Sequence, residues 1–229
     1  MKYKNLLFFS LLGFPMLIIS CSHDNYLTPN GEITGAIVDN TTGSAVLTEQ
    51  PNGMKIRLLE VSYGANVTPI DFWAKPDGTF ENANVFAGKY KVVPIEGAFF
   101  PADTATVDVK GQTEVNFKVT PFLVIDATLS TMAGGISASY QLSREKIGDK
   151  IVEAKIIVSE YPSVGNTINE YSVSRDLSAT ADETVLVTHY TDKVTGLTSE
   201  KVYYARVAAR TNNANKKYNY SEVVKLTIP

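Results

Sequence analysis

The chain has 229 residues, with 21 Lys and Arg against 24 Asp and Glu. Its first twenty residues carry only Lys2 and Lys4, so the remainder holds 19 bases against 24 acids. That balance excludes a general nucleic-acid binder, which needs a basic face to displace counterions. A 44% hydrophobic content excludes a disordered chain, and one Cys and two His exclude a disulfide framework and a Cys/His zinc cluster.

Residues 1–20 read as a signal peptide. Lys2 and Lys4 form a positive start, and the apolar run 6–19 is broken by Ser10, Gly13 and Pro15, too short and interrupted for a membrane span. The run ends in Ile18-Ile19-Ser20-Cys21, a small residue directly before the only Cys. This arrangement resembles a bacterial lipobox. The resemblance implies acylation of Cys21, cleavage before it and a membrane anchor. A lone Cys in a secreted chain otherwise lacks an explanation. Residues 21–30 then read as a polar tether containing His23, which is given no role. Asp24 is a minimal match to the acidic export signal of surface lipoproteins, and the expected location is the outer membrane, with surface display implied by that match.

Beyond the tether, alternation with period two is widespread and no stretch of eleven residues keeps a helical period. Turn signals recur every eight to twelve residues, as in sandwiches. The fold class expected is all-β, two tandem β-sandwiches over residues 31–120 and 121–229. In the first, Ile33, Gly35 and Ile37 alternate with polar partners before Asp39-Asn40-Thr41-Thr42-Gly43. Met54, Ile56 and Leu58 follow Pro51-Asn52-Gly53. Ile70, Phe72 and Ala74 precede Pro76-Asp77-Gly78, where Asp-Gly suits a tight hairpin. Tyr90 and Val92, then Ala105, Val107 and Val109, then Val115, Phe117 and Val119 complete about seven strands. Gly35-Ala36-Ile37-Val38-Asp39, Asp77-Gly78-Thr79-Phe80 and Gly88-Lys89-Tyr90-Lys91-Val92 make this half similar to the transthyretin-like, carboxypeptidase-regulatory-like module, which is not catalytic.

The second half begins at Pro121 without a Gly- or Ser-rich linker. Strands are expected around Leu123–Ala127, Ile136–Tyr140, Ala154–Val158 and Val185–Val187. Gly196-Leu197, five intervening residues and Tyr203 resemble the tyrosine corner of fibronectin type III domains. Tyr203, Ala205, Val207 and Ala209 are then expected to face the core, with Tyr140 standing where that family carries a core Trp.

The strings Thr48-Glu49-Gln50-Pro51-Asn52-Gly53, Gly97-Ala98-Phe99-Phe100-Pro101 and Ala209-Arg210-Thr211-Asn212-Asn213 extend the resemblance to a two-domain family of Bacteroidota lipoproteins of unknown function. The resemblance implies an accessory role beside SusC/SusD-type importers in polysaccharide utilisation.

Chemistry is scarce. His189 is the only His of the folded part, at a strand end, and no Gly-x-Ser-x-Gly is present. The acids Asp71, Asp77, Glu81, Asp103 and Asp108 lie at turns and outward positions, a solvated surface rather than a carboxylate pair. No catalytic residue, metal ligand or cofactor is expected, and the chain is read as a non-enzyme. Candidate ligand contacts are aromatic. Trp73, the only Trp, points outward if Phe72 points inward; it either offers a stacking face for a sugar or packs under the 64–68 loop or the second domain. Phe99 and Phe100 either contact ligand or plug the sandwich end. Tyr190, Tyr204 and Tyr220 could form a cross-strand stripe, with Arg206 beside Tyr204. Two functions are expected: an anchored interaction module touching the uptake machinery, or a surface glycan-binding protein using these aromatics.

Overall fold

The computed structural model describes residues 27–64 and 67–229. Cys21, His23 and residues 1–20, expected to be a signal peptide, lie outside the described residues. The first sandwich contains β1 (Gly31–Asp39), β2 (Lys55–Glu60), β3 (Ile70–Trp73), β4 (Thr79–Val85), β5 (Gly88–Ile95), β6 (Ala105–Val109), β7 (Gln112–Glu114) and β8 (Phe117–Val119). One sheet runs β4-β1-β7 with β8 also on β1; the other runs β3-β2-β5-β6. The core between them is Ile33, Ile37, Met54, Ile56, Leu58, Phe80, Tyr90, Val92, Val109 and Phe117, the set that the alternation selects.

One turn differs from expectation. Asp77-Gly78 closes locally, with Gly78 at φ +81° and its N–H donating to Lys75, but β3 and β4 belong to opposite sheets. The turn therefore carries the chain across the sandwich instead of joining a hairpin. A tight Asp-Gly turn sets local chain reversal, while the ladder partner is chosen by which face must bury Phe80.

The second sandwich contains β9 (Val124–Met132), β10 (Gly135–Ser143), β11 (Ile151–Ser159), β12 (Tyr171–Asp176), α1 (Asp182–Val187), β13 (Tyr190–Thr195), β14 (Val202–Thr211), β15 (Asn219–Tyr220) and β16 (Val224–Thr227). Its sheets are β13-β10-β9 and β12-β11-β14, with β15 and β16 following one another along β14. This is the strand order of a fibronectin type III-like sandwich. The corner forms as the spacing predicts: Thr198 N–H donates to the Tyr203 hydroxyl at 3.2 Å. Tyr140 occupies the core and its hydroxyl donates to Asp192 at 2.6 Å. Burial pushes the Tyr140 hydroxyl's pKa well up, with the Asp192 carboxylate adding to the effect.

Val185 and Val187, expected on a strand, lie in the six-residue helix α1. Val185 still points into the core, and Asp182 in the first turn pairs with Lys150 at 2.7 Å and Arg144 at 3.0 Å. Acids in a first helical turn suit the helix dipole. A polar stretch followed by two valines at i and i+2 carries no period long enough to tell such a turn from a strand.

Candidate functional site: the junction cleft

The two sandwiches meet without a linker: Pro121 bridges to Phe99 and Phe122 N–H donates to Ala98 at 3.0 Å. The three strings that carry the family resemblance converge here. In the first, the Thr48 hydroxyl accepts from Met54 N–H at 3.0 Å, while the Thr48 carbonyl accepts from Arg206 Nη1 at 2.9 Å. The Glu49 carboxylate accepts from Thr167 N–H at 2.6 Å, and the Asn52 carbonyl accepts from Lys217 Nζ at 2.7 Å. Gln50–Pro51 is cis, and Gly53 is required because a Cβ there would fall 2.1 Å from both the Glu49 carbonyl and the Thr48 hydroxyl.

The second string has its own mechanics. A Cβ on Gly97 would meet the Phe99 ring at 1.7 Å, so glycine seats that ring. Asn219 then ties both domains: its amide donates to the Ala98 carbonyl at 2.9 Å and accepts from Leu123 N–H at 3.0 Å. In the third string, Asn213 donates to the Lys217 carbonyl and accepts from the Lys217 N–H, both at 2.9 Å. Together these bonds hold the Lys217 side chain against the first domain.

Arg206 is the electrostatic centre of the contact. It is 1% exposed, its guanidinium lies 3.8 Å from the Tyr220 ring centroid, and its buried Nε has no partner among the described residues. Burial brings its pKa down to about 10, against the opposing pull of Tyr220 and Glu49, so it stays charged at neutral pH. Burial likewise pushes the Tyr220 hydroxyl well up. A buried cation held by one carbonyl and one aromatic face costs desolvation energy that only a tight interface returns.

Beside this contact opens a cleft of about 510 Å³. Ile95, Phe99, Phe100, Ala102 and Phe122 form its apolar wall, and Glu96, Asp149, Asn213 and Asn215 supply polar groups. Phe100 packs edge-on to Phe122 with centroids 5.0 Å apart, and its ring fits against Gly148, where a Cβ would come within 2.8 Å. Lys146 Nζ sits 4.5 Å over the same ring. Glu96 holds a left-handed backbone at φ +56°, a strained conformation for a side-chain-bearing residue. Its carboxylate is shared by Lys55 at 3.2 Å and Lys217 at 3.7 Å.

The candidate aromatics sort accordingly. Phe100 lines the cleft and is half-buried. Phe99 lines it too but is 5% exposed and belongs to the first core, so it shapes the wall. Trp73 is half-buried, with Lys55 Nζ 4.4 Å and Lys217 Nζ 5.3 Å from its ring centroid; it reaches the cleft rim through the two lysines that hold Glu96, one from each domain. The expected tyrosine stripe does not form. Tyr190 lies on β13 in the opposite sheet, stacked on Tyr140 at 5.5 Å. Tyr204 and Tyr220 do share a cluster with Ile157, Val164 and Ala208, covered by Leu47 of the first domain. Tyr220 is 8% exposed and thus closed to ligand. The cause is topological: β13 pairs with β10, whereas β15 pairs with β14.

His189 is exposed just before β13. Asp71 accepts from Nε and Nη2 of Arg57, and Glu81 accepts from Lys75, so these acids are spent on surface pairs. Among the described residues no three His, Cys, Asp or Glu converge as a metal site. Sequence reasoning assigned no site role to Glu49, Arg206, Lys217 or Asn219. The one available signal was a charged residue, Arg206, flanked on both sides by the apolar runs 202–205 and 207–209 of β14.

The fold and junction define a class: tandem β-sandwich proteins whose second domain is fibronectin-like and whose two domains are joined without a linker. Residues 31–120 match the "Protein of unknown function (DUF3823) N-terminal domain" and residues 122–225 match the "Domain of unknown function (DUF3823_C)". The chain belongs to this DUF3823 family. It is similar to a family member from Bacteroides uniformis at 26% identity, covering 88% of this chain and 100% of that one with a TM-score of 0.78. A Parabacteroides merdae member is also 26% identical, with coverage of 88% and 100% and a TM-score of 0.73. A Bacteroides uniformis protein proposed to bind carbohydrate shares the fold at 23% identity, coverage of 87% and 100% and a TM-score of 0.75. No curated protein matches the chain.

Proposed function

We propose that this is a non-catalytic, lipid-anchored outer-membrane protein that binds a saccharide in the junction cleft and serves glycan uptake. The observation that carries the reading is the cleft itself: the half-buried Phe100 on an apolar wall, faced by carboxylate and amide groups and built from both domains. A pyranose has the matching chemistry. Its C–H face stacks on an aromatic ring, and its hydroxyls pair with Glu96, Asp149 and Asn215. The volume lies within the usual range of small-ligand sites, roughly 300–1,000 Å³. The strain at Glu96 adds support, since left-handed side-chain-bearing residues cluster at ligand sites. The carbohydrate-binding role proposed for the Bacteroides uniformis relative agrees with this reading. The anchor rests on the lipobox at Cys21, and placement beside a SusC/SusD-type importer rests on the family resemblance.

Calorimetric titration of the purified protein against a polysaccharide panel tests the proposal. One glycan class should bind, Phe100→Ala should weaken it at least tenfold, and the exposed rim variant Asn215→Ala should weaken it with an unchanged melting temperature. Trp73→Ala should have a smaller effect, through the lysines that hold Glu96. Binding indifferent to both Phe100→Ala and Asn215→Ala would move the site elsewhere, and turnover of any bound glycan would overturn the non-catalytic reading.

A further inference from the structure

The end of the first sandwich opposite the junction carries a second exposed apolar group. Leu27 is 84% exposed, Tyr63 93% and Phe86 45%, and the three surround one surface depression with Asn30, Glu60 and Ala87. Large apolar side chains in water that gather in one place mark a contact surface. The backbone beneath them is fixed. The Asn30 side chain accepts from Ala87 N–H at 2.9 Å, and the Ser62 hydroxyl accepts from Lys89 N–H at 2.8 Å. A Cβ on Gly88 would come within 2.7 Å of that hydroxyl, so the 86–89 turn and the 60–63 segment pack without a gap.

Strand direction places this group. β5 begins at Gly88 beside the patch and ends at Ile95 on the cleft wall, eight residues or about 25 Å away. β1 runs the same way, from Gly31 at the patch end to Asp39 near the second domain. The patch and the cleft therefore occupy opposite ends of the first domain. Leu27 is six residues after Cys21, a reach of about 20 Å at full extension.

We infer that Leu27, Tyr63 and Phe86 rest in the headgroup region of the bilayer, so that the lipid anchor and this patch together stand the molecule upright with its junction cleft turned away from the membrane. The inference rests on the anchor at Cys21 read above. Tyr with a polar tip, beside Phe and Leu, is the composition that favours the membrane–water boundary. A short leash converts the patch contact into an intramolecular event, so a small apolar group suffices where a free protein would need far more area.

The test uses the lipidated full chain reconstituted in phosphatidylcholine–phosphatidylethanolamine vesicles. With the Cys21 thiol acylated, Tyr63→Cys, Phe86→Cys or Tyr161→Cys each provides one labelling site; Tyr161 is 60% exposed on the second domain. An environment-sensitive fluorophore at positions 63 and 86 should be quenched at least twofold more by lipids spin-labelled near the headgroup than the same fluorophore at position 161. Equal quenching at all three positions, with Cys21 shown to be acylated by mass spectrometry, overturns the orientation alone. An unacylated Cys21 overturns the anchor reading and the orientation with it. Positions 63 and 86 shielded from aqueous iodide yet unquenched by lipid would assign the patch to a second copy of the chain and equally overturn the inference.

Discussion

The two sandwiches treat their outward faces differently. In the first, β5 buries Tyr90, Val92 and Pro94 and leaves Lys89 and Lys91 in water, as alternation requires. In the second, β11 and β14 are buried on both faces. Ala154, Ile156 and Val158 and then Tyr203, Ala205, Val207 and Ala209 form the core, while Ile157, Arg206 and Ala208 on the reverse are closed over by Val164 and Tyr220 of the same domain together with Leu47 and Thr48 of the first. A face that reads as solvent in one domain is interior in the other. Placing a charge on that face is cheap only when water reaches it, so Arg206 marks where the second layer begins.

The largest expected effect breaks this contrast directly. Arg206→Ala strips the Thr48 carbonyl of its donor and leaves a void against Tyr220, and it should cost about 3 kcal/mol in denaturant unfolding. A loss under about 1 kcal/mol would mean the reverse face of β14 contributes little. Next comes a pair of glycines, one on each kind of surface. Gly53→Ala drives a Cβ into the Glu49 backbone at the junction and should cost about 2 kcal/mol. Gly43→Ala, at φ +72° over open space, should cost about 1 kcal/mol from backbone strain alone.

A smaller effect is pH-dependent and belongs to the second sandwich. Burial alone would raise the Asp182 carboxyl, but bonding to Lys150 and to Ile151 N–H, with the nearby charge of Arg144, holds it below the ordinary carboxylate range. Glu153 is held low in the same way: burial opposes, and Tyr218, Lys155 and Arg210 prevail. Each carboxylate therefore contributes stability that is fully present above its unfolded value near 4, and that is lost as pH falls through the lower folded value. Asp182→Asn should cost about 1–2 kcal/mol at pH 7, and the difference from the parent should shrink as both are unfolded at progressively lower pH. A difference that grows on acidification would refute the pairing. The smallest effect is on the wet face of the first sandwich. Asp71→Asn, which removes the bidentate partner of Arg57, should leave the unfolding midpoint unchanged within error, as exposed pairs usually do.

Much of this was legible in the residue order. Alternation placed Ile33, Ile56, Tyr90, Ile136 and Val207 in cores, and the Leu197–Tyr203 spacing announced the corner. The Phe99-Phe100 pair was visible as an aromatic candidate, but not that Phe100 meets Gly148 and Phe122 while Phe99 turns inward. The 48–53 string stood out as a family feature with no stated purpose, because its partners Thr167, Arg206 and Lys217 lie more than a hundred residues away in sequence. The tyrosine stripe failed for a related reason: period two assigns a face, and three tyrosines share a surface only if their strands share a sheet.

Residue order by itself determined the all-β character, the two cores and the local turn chemistry, because each follows from spacing within a single strand or corner. Which strands became neighbours was decided by long-range pairing within each sandwich, and which outward face was covered and where a cleft opened by docking one sandwich on the other. That step depends on bonds such as Thr48 to Arg206 and Ala98 to Asn219, formed between segments far apart in the chain. Local periodicity has no term for such distant encounters, whose geometry exists only once both domains have folded.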